Sequence, residues 1–83
     1  MPIFHFYLAR CADDSLYAGI CADLIDREKK HNEGKGAKYT RSRLPITFIY
    51  SETFATKSDA LKREAEIKSW SKLQKEELVR SVS

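Results

Sequence analysis

Two tyrosines, one arginine and one histidine occupy positions from which they could act together on a phosphate group. Tyr7 and Tyr17 fall in two segments with strand character, and Arg27 and His31 fall in a segment with helix character. A guanidinium offers planar pairs of N–H donors that match phosphate oxygens, and phenol and imidazole groups can carry protons. If these three segments pack together, the four side chains form a site for phosphodiester chemistry.

The first two segments indicate a β-hairpin. Residues 3–10 alternate between large apolar residues and others, which is the period of a strand. Residues 16–20 have the character of the returning strand. Between them, residues 12–15 supply turn chemistry, because aspartate hydrogen-bonds its own backbone and tolerates a left-handed φ.

The length of the turn decides whether the two phenols share a face of the sheet. A register shift of one residue moves every side chain to the opposite face. A two-residue loop, 13–14, places Tyr7 opposite Ile20 and separates the phenols. A three-residue loop, 12–14, places Tyr7 opposite Gly19 and brings both rings to one face. The catalytic hypothesis predicts the three-residue loop.

A helix is predicted over residues 24 to about 32. Asp23 is of the residue type that caps a helix N-terminus, and Gly34 is a natural stop. Arg27 and His31 are four residues apart and therefore project from one face of this helix. Two alternatives stay open, namely an ion pair between Arg27 and Asp23 and an interaction of His31 with the helix dipole.

A basic segment overlaps this helix and follows it. Residues 27–43 hold seven Lys or Arg residues against two Glu residues, whereas the whole chain has a net charge of +3. A basic stripe on a nearly neutral body suits a polyanion such as nucleic acid. Glycines in this segment let backbone amides approach a phosphate, and an aromatic ring can stack on a base. The predicted nucleic-acid-binding residues are Lys35, Lys38, Tyr39, Arg41 and Arg43. The alternative is a flexible, solvated connection.

The second half of the chain predicts a third strand and two helices. Residues 46–54 follow Pro45 and are nearly continuous in apolar character, which indicates a strand that is central or well covered. Capping residues at 56–59 precede a helix over residues 60–70. Residues 71–74 match the spacing of a capping box, so a short final helix is expected to begin there and to run to about residue 79.

One carboxylate on the helix over residues 60–70 is a candidate metal ligand. The expected apolar side of this helix consists of Ala60, Leu61, Ala65, Ile67 and Trp70. Glu64 lies beside that apolar side, where a carboxylate could hold a hard cation such as Mg²⁺. Glu64 and Lys68 also have the spacing of an ordinary i,i+4 ion pair, and both interpretations stay open.

Composition limits the number of domains, the fold class and the cellular location that we expect. The 83 residues, 42% hydrophobic and 33% charged, predict a single domain over residues 1–83 with a small core. The element order predicts an α+β fold, in which a small three-stranded antiparallel sheet is flanked by helices. No apolar run approaches the about 20 residues that a membrane span needs, and the N-terminus lacks the features of a secretory signal. We therefore expect a cytoplasmic chain, assumed to be a monomer, in which Cys11 and Cys21 are reduced thiols.

The arrangement resembles the GIY-YIG nuclease superfamily over nearly the whole chain, and more closely its small stand-alone bacterial members, the UPF0213-like proteins. His5-Phe6-Tyr7 keeps the tyrosine of the first motif, and Tyr17-Ala18-Gly19 keeps the tyrosine and glycine of the second. Ala60-Leu61-x-x-Glu64 matches the pattern of the family's glutamate, and residues 34–41 look like the linking segment of the stand-alone group. The resemblance depends on the order and spacing of these pieces together.

The resemblance implies a set of catalytic residues and a metal ion. The catalytic residues it implies are Tyr7, Tyr17, Arg27, His31 and Glu64. It also implies that Glu64 binds one Mg²⁺ or Mn²⁺ ion. Many members carry an asparagine near the end of the domain, whereas the only asparagine here is Asn32. Lys72 or Gln74 are the candidate substitutes.

The expected function is metal-dependent hydrolysis of phosphodiester bonds in DNA, selective for DNA structure rather than for sequence. Arg27 would bind the non-bridging phosphate oxygens. Tyr17, or less readily Tyr7, would accept a proton from the attacking water after nearby cations lower its pKa from about 10. The alternatives are a nucleic-acid-binding module that has lost the chemistry and a protein-interaction domain whose tyrosines belong to the core.

Overall fold

The computed structural model describes residues 3–82. Its elements follow in chain order as β1 Phe4–Arg10, β2 Leu16–Cys21, α1 Leu24–Asn32, α2 Lys38–Arg41, β3 Thr47–Phe54, α3 Lys57–Lys68 and α4 Lys72–Arg80. The three strands form one antiparallel sheet in the order β2-β1-β3. The expected α+β fold, with a three-stranded sheet flanked by helices, is confirmed.

The hairpin has the register that the catalytic hypothesis requires. Tyr7 pairs with Gly19 and Ala9 pairs with Tyr17. The turn contains three residues, because Cys11 N donates to Ser15 O at 2.9 Å. Asp14, the last of the three, has a φ of 70°, which is the left-handed conformation that a short aspartate side chain tolerates. The three-residue loop and the shared face of the two phenols are therefore confirmed.

β3 lies at an edge of the sheet and β1 lies at its centre. Of the two alternatives, a central or a well-covered third strand, the central position is wrong, and β3 is only partly covered. Ile46, just before β3, is buried, whereas no residue of β3 itself is fully buried. Side chains of α1 bind the strand edge. Phe48 N donates to the Glu28 carboxylate at 2.7 Å, and Asn32 exchanges two hydrogen bonds with the Ile46 backbone at 2.7 and 2.9 Å. An edge strand satisfied in this way does not need a neighbouring strand.

The sheet separates two hydrophobic clusters. The first contains Tyr7, Ala9, Cys11, Cys21 and Ile46, with Tyr17, Leu24, Leu44 and Phe48 packed against it. The second contains Phe6, Leu8, Ala18 and Ile67, with side chains of β3 and α4 at its margin. Both cysteines are free and buried, as expected. Because successive strand residues face opposite sides, Tyr7 and Ala9 of β1 and Tyr17 and Cys21 of β2 share the face of the first cluster.

α4 begins at the predicted capping box, whereas α3 begins at Lys57, three residues before the predicted start, and ends at Lys68. Thr56 caps α3 by accepting a hydrogen bond from Asp59 N, and Ser71 with Gln74 forms a complete capping box for α4. The apolar side of α3 is narrower than expected, because Leu61 is 43% exposed and Ala65 is also exposed. No helix within residues 3–82 has the length and apolar character to cross a membrane.

The basic segment after α1 contains a turn of helix, while its cations Lys35, Lys38 and Arg41 are exposed to solvent. α2 is a single turn of helix, and Thr40 within it is completely buried. Gly34 has a φ of 81° and ends α1, the left-handed conformation common at helix C-termini. α2 is thereby turned back against α1.

Candidate active site

Tyr7 is the buried centre of an aromatic cluster. Its side chain is 2% exposed and its ring stacks on Phe48, with 4.0 Å between the ring centroids. The Tyr17 ring is tilted against it at a centroid distance of 6.4 Å. A Cβ atom added to Gly19 would lie 2.5 Å from Tyr7 Oη. The glycine of the second motif therefore provides the space that the first tyrosine occupies.

His31 is buried and hydrogen-bonded through both ring nitrogens. Nε2 lies 2.9 Å from Tyr7 Oη, and Nδ1 lies 2.9 Å from Thr40 Oγ1. Burial first, and the positive charge of Arg27 second, lower the pKa of His31, so the ring is neutral at neutral pH. An interaction with the helix dipole is not what holds this residue. Thr40 was missed in the sequence analysis, because a lone threonine among cations carries no periodic signal.

The pKa of Tyr7 moves in the direction opposite to the sequence-based expectation. Burial raises it most, and the neighbouring Tyr17 raises it further, while Arg27 acts against both. Removal of the hydroxyl from water disfavours the phenolate more than one nearby cation favours it. The expectation that cations lower the pKa of a site tyrosine is therefore wrong for Tyr7.

Arg27 is exposed and forms no ion pair with any residue in the described range 3–82. The alternative pair with Asp23 does not form, and the Asp23 side chain instead accepts a hydrogen bond from Asp26 N. The charge of Arg27 acts on the pKa values of Tyr7, Cys21 and His31. The guanidinium therefore lies beside the buried cluster with its donors available to a ligand.

Arg27 also lines a surface hollow of about 390 Å³ together with a second cation, Lys57. The other lining residues are Phe4, Ile20, Cys21 and Ala22. Lys57 begins α3 and, like Arg27, has no ion pair within the described part of the chain. Two unpaired cations above an apolar floor suit a phosphate with its attached sugar or base. The sequence gives no sign that Lys57 lines this hollow, because a lysine beside the capping residues of a helix is common.

Glu64 lies partly buried on α3 within electrostatic reach of the phenols. Its carboxylate pairs with Lys68 at 3.6 Å, and it contributes to the raised pKa of Tyr7 after burial and Tyr17. Lys68 Nζ lies 6.0 Å from the centroid of the Tyr17 ring. The i,i+4 pair that the sequence left open is present, and it lies beside the phenols.

The single carboxylate of Glu64 suits a hard cation whose remaining ligands are waters and substrate phosphate oxygens. Within the described residues no three carboxylate, imidazole or thiol groups come together as a metal cage. Mg²⁺ commonly binds through one or two carboxylates and completes its octahedron with waters and substrate phosphate oxygens. Glu64 alone suits that mode of binding.

The predicted nucleic-acid-binding residues differ in whether their side chains already form ion pairs or hydrogen bonds. Lys38 and Arg41 are exposed without an ion pair among residues 3–82, and Lys35 has only a 3.9 Å contact with Glu33. Arg43 is held by Asp13 at 2.9 Å and by the carbonyl of Tyr39 at 2.8 Å.

Tyr39 and Arg43 also contact each other through their side chains. The Arg43 guanidinium lies 3.9 Å from the centroid of the Tyr39 ring, and that ring stacks on Tyr17. A base could stack on Tyr39 only by displacing one of these neighbours. Nucleic-acid contacts by Tyr39 and Arg43 stay predictions, and in this structure both residues hold the segment against the site.

The candidate substitutes for a late asparagine have structural roles. Lys72 pairs with Asp14 at 3.4 Å and with Glu76 at 3.9 Å. Gln74 Oε1 accepts a hydrogen bond from Ser71 N in the capping box. Asn32 holds the Ile46 backbone. The amides of Gln74 and Asn32 are held by backbone groups, whereas Lys72 has only long ion-pair contacts.

Known proteins are similar to this chain in sequence along most of its length. The model of a family described as the GIY-YIG catalytic domain matches residues 3–77. The UPF0213 protein SERP0126 of Staphylococcus epidermidis is 51% identical over 76 residues, which cover 90% of this chain and 93% of the relative. The UPF0213 protein SSP2268 of Staphylococcus saprophyticus is 49% identical over 79 residues, which cover 95% and 96% of the two chains.

Two solution NMR structures are also similar. The structure of the UPF0213 protein BH0048 from Bacillus halodurans aligns with a TM-score of 0.61 and 41% identity, covering 94% of this chain and 83% of that one. The structure of the protein EF2693 from E. faecalis aligns with a TM-score of 0.65 and 37% identity, covering 99% and 88%. The likeness in sequence and in fold extends along nearly the whole chain.

Proposed function

Because the chain belongs to the GIY-YIG catalytic-domain family, we propose that it is a metal-dependent endonuclease that hydrolyses phosphodiester bonds in DNA. The family is a nuclease superfamily whose members act on nucleic acid and are generally metal-dependent. The observation that supports the proposal most strongly is the exposed guanidinium of Arg27, unpaired among the described residues, close enough to act on the Tyr7 phenol and the His31 imidazole.

In the proposed reaction each group has one task. Arg27 binds the non-bridging oxygens of the scissile phosphate with its planar fork and stabilises the charge that develops on them. One of the two phenols, Tyr7 or Tyr17, takes a proton from the attacking water. Glu64 would hold one Mg²⁺ or Mn²⁺ ion, which would supply Lewis-acid stabilisation of the phosphate.

Recognition is proposed to depend on the shape of the DNA. Lys35, Lys38 and Arg41 are cations on a segment that the ring of Tyr39 holds against Tyr17. Lysine and arginine contacts to phosphates give affinity without sequence preference. We expect branched, flapped or nicked DNA to be cut in preference to linear duplex, at positions set by structure.

The test of the proposed function is a cleavage assay with linear, flap, fork and junction DNA in Mg²⁺, in Mn²⁺ and in EDTA. We expect cutting of at least one structured substrate that EDTA abolishes. Glu64→Gln, which keeps the shape and removes the charge, is expected to lower the rate at least about 100-fold, because several kcal/mol of charge stabilisation are lost. Glu77→Gln, an exposed glutamate of α4, is the matched control and should cut normally.

Two outcomes would contradict the proposal. Undiminished cutting by Glu64→Gln would show that the ion is held elsewhere. Binding of DNA by the parent protein without cleavage in either metal would favour the second candidate, a nucleic-acid-binding module, which the exposed cations Lys38 and Arg41 support independently of the chemistry.

Replacement of Lys57 by Met is expected to weaken DNA binding by removing one phosphate contact from the hollow. The plot of log affinity against log salt concentration should lose about one unit of slope. Fluorescence anisotropy over a range of salt concentrations measures both quantities. Lys62→Met, which neutralises an exposed lysine of the same helix outside the hollow, should leave the slope unchanged. Equal behaviour of the two variants would remove Lys57 from the DNA path.

A further inference from the structure

A continuous chain of hydrogen bonds runs from Tyr7 through His31 and Thr40 to the backbone. Tyr7 Oη lies 2.9 Å from His31 Nε2, and His31 Nδ1 lies 2.9 Å from Thr40 Oγ1. Thr40 Oγ1 in turn donates to the carbonyl of Ala37 at 2.9 Å. A hydroxyl carries one proton, so a Thr40 hydroxyl that donates to Ala37 can only accept from His31. In that arrangement the proton of neutral His31 lies on Nδ1, and Nε2 accepts the proton of the Tyr7 hydroxyl.

The surroundings keep His31 neutral and fixed. His31 is 1% exposed and Thr40 is completely buried. The ring is contacted by Tyr7 from β1, Tyr17 from β2, Phe48 from β3 and Thr40 from α2. The charge that acts on it from its own helix is the positive charge of Arg27. The resting imidazole is thus a proton acceptor that points at Tyr7.

We propose that Thr40 is a positioning residue that holds His31 in this tautomer, so that His31 Nε2 finally accepts the proton that Tyr7 takes from the attacking water. The proposal rests on the proposed nuclease function. It adds a residue to the site. It also makes Tyr7, whose side chain is 2% exposed and hydrogen-bonded to His31, the phenol that the water must reach once DNA is bound.

The proton transfer balances without a further reactant. One O–H bond of the water breaks while an O–H bond forms at Tyr7 Oη. The original O–H bond of Tyr7 breaks while an N–H bond forms at His31 Nε2. The electron pair of the hydroxide forms the new bond to phosphorus, and the bond from phosphorus to the leaving oxygen breaks with its electron pair on that oxygen.

This route explains how a phenol with a raised pKa can serve as the base. No phenolate accumulates, because Tyr7 passes its own proton on as it receives another. A hydroxyl, an imidazole and a third group that orients the imidazole form the arrangement used to activate hydroxyls in hydrolases. Thr40 holds the orienting position here with a neutral oxygen, so its removal should cost less than removal of an orienting carboxylate.

Long-range ¹H–¹⁵N NMR of the whole protein reads the tautomer of His31 without any cleavage reaction. The parent and Thr40→Ser are expected to have the proton on Nδ1. Thr40→Val keeps the shape and removes the acceptor, so it should shift His31 toward the tautomer with the proton on Nε2. In the cleavage assay Thr40→Val should lower kcat about 10- to 100-fold, a fraction of the usual effect of general-base catalysis. KM should change little, and Thr40→Ser should restore most of the rate.

Several results would overturn the proposal. A parent protein with the proton of His31 on Nε2 would do so, and this measurement does not require any variant to fold. A folded Thr40→Val variant that keeps the parent tautomer or the full rate would do so as well. A protein that has the expected tautomer but cuts no DNA would refute the nuclease function and the proton route together, whereas a cutting protein with the other tautomer would refute the route alone.

Discussion

Replacement of Arg27 by Met is expected to lower the rate of DNA cleavage about 1000-fold while the protein stays folded. Removal of one preorganised donor at a developing charge costs about 10² to 10³ in rate, and an arginine at a transferring phosphoryl group contributes about 10³ to 10⁵. Arg27 is exposed and unpaired within the described residues. Its removal therefore breaks no ion pair there, and the free energy of unfolding should change by no more than about 0.5 kcal/mol.

Two further variants separate the shape of the Arg27 side chain from its charge. Arg27→Lys keeps the charge but loses the bidentate fork, so it should fall between the parent and Arg27→Met. Lys29→Met removes a positive charge from an exposed position of the same helix and is expected to cut at the parent rate. Single-turnover cleavage at saturating DNA measures the chemical step for all three. A parent-like rate in Arg27→Met would mean that another group binds the scissile phosphate.

Replacement of Gly36 by Ala is expected to destabilise the fold by about 3 kcal/mol, at the upper end of the usual cost of overpacking. A Cβ atom at this position would lie 2.0 Å from His31 Nδ1 and 2.6 Å from two other ring atoms. His31 has no room to yield, because both of its nitrogens are hydrogen-bonded and its ring is buried. In a domain of this size the melting temperature should fall by roughly 12 to 24 °C.

Gly34→Ala is the matched control for this stability measurement. Gly34 lies two residues earlier and has open space around its Cα, but its φ is 81°. The added Cβ atom there meets only backbone strain, which costs about 1 to 2 kcal/mol. Thermal unfolding followed by circular dichroism compares the two variants. A Gly36→Ala variant as stable as Gly34→Ala would mean that His31 can move, and the fixed tautomer would then lose its structural basis.

The local part of the fold was predictable from the sequence because local chemistry determines it. Asp23 and Gly34 delimit α1 as expected, and the residues of the turn were recognisable from their types. The turn chemistry left two registers open, and the pairing of Tyr7 with Gly19 was predicted only through the catalytic hypothesis. Strand order was not predictable in the same way. An apolar run indicates that a strand is covered, but it does not identify the element that covers it. At β3 the side chains of Glu28 and Asn32 bind the strand edge.

The candidate site was predictable in its residue types but not in its proton arrangement. The spacing of Arg27 and His31 on one helix is a property of the sequence, whereas the burial of Tyr7 and the turn of helix that carries Thr40 arise only when distant segments pack. α2 has four residues, too few for a periodic pattern to appear. The direction of the Tyr7 pKa shift depends on that packing and therefore could not be read from the nearby cations.

α1 carries Arg27 and His31 and also shields the outer edge of β3 through Glu28 and Asn32. An unshielded strand edge is a template for pairing between molecules. Detachment of this helix would therefore dismantle the candidate site and, in the same event, free the backbone groups of Ile46 and Phe48 at the start of the β3 edge. A variant that loosens α1 is expected to affect the site and the sheet edge together.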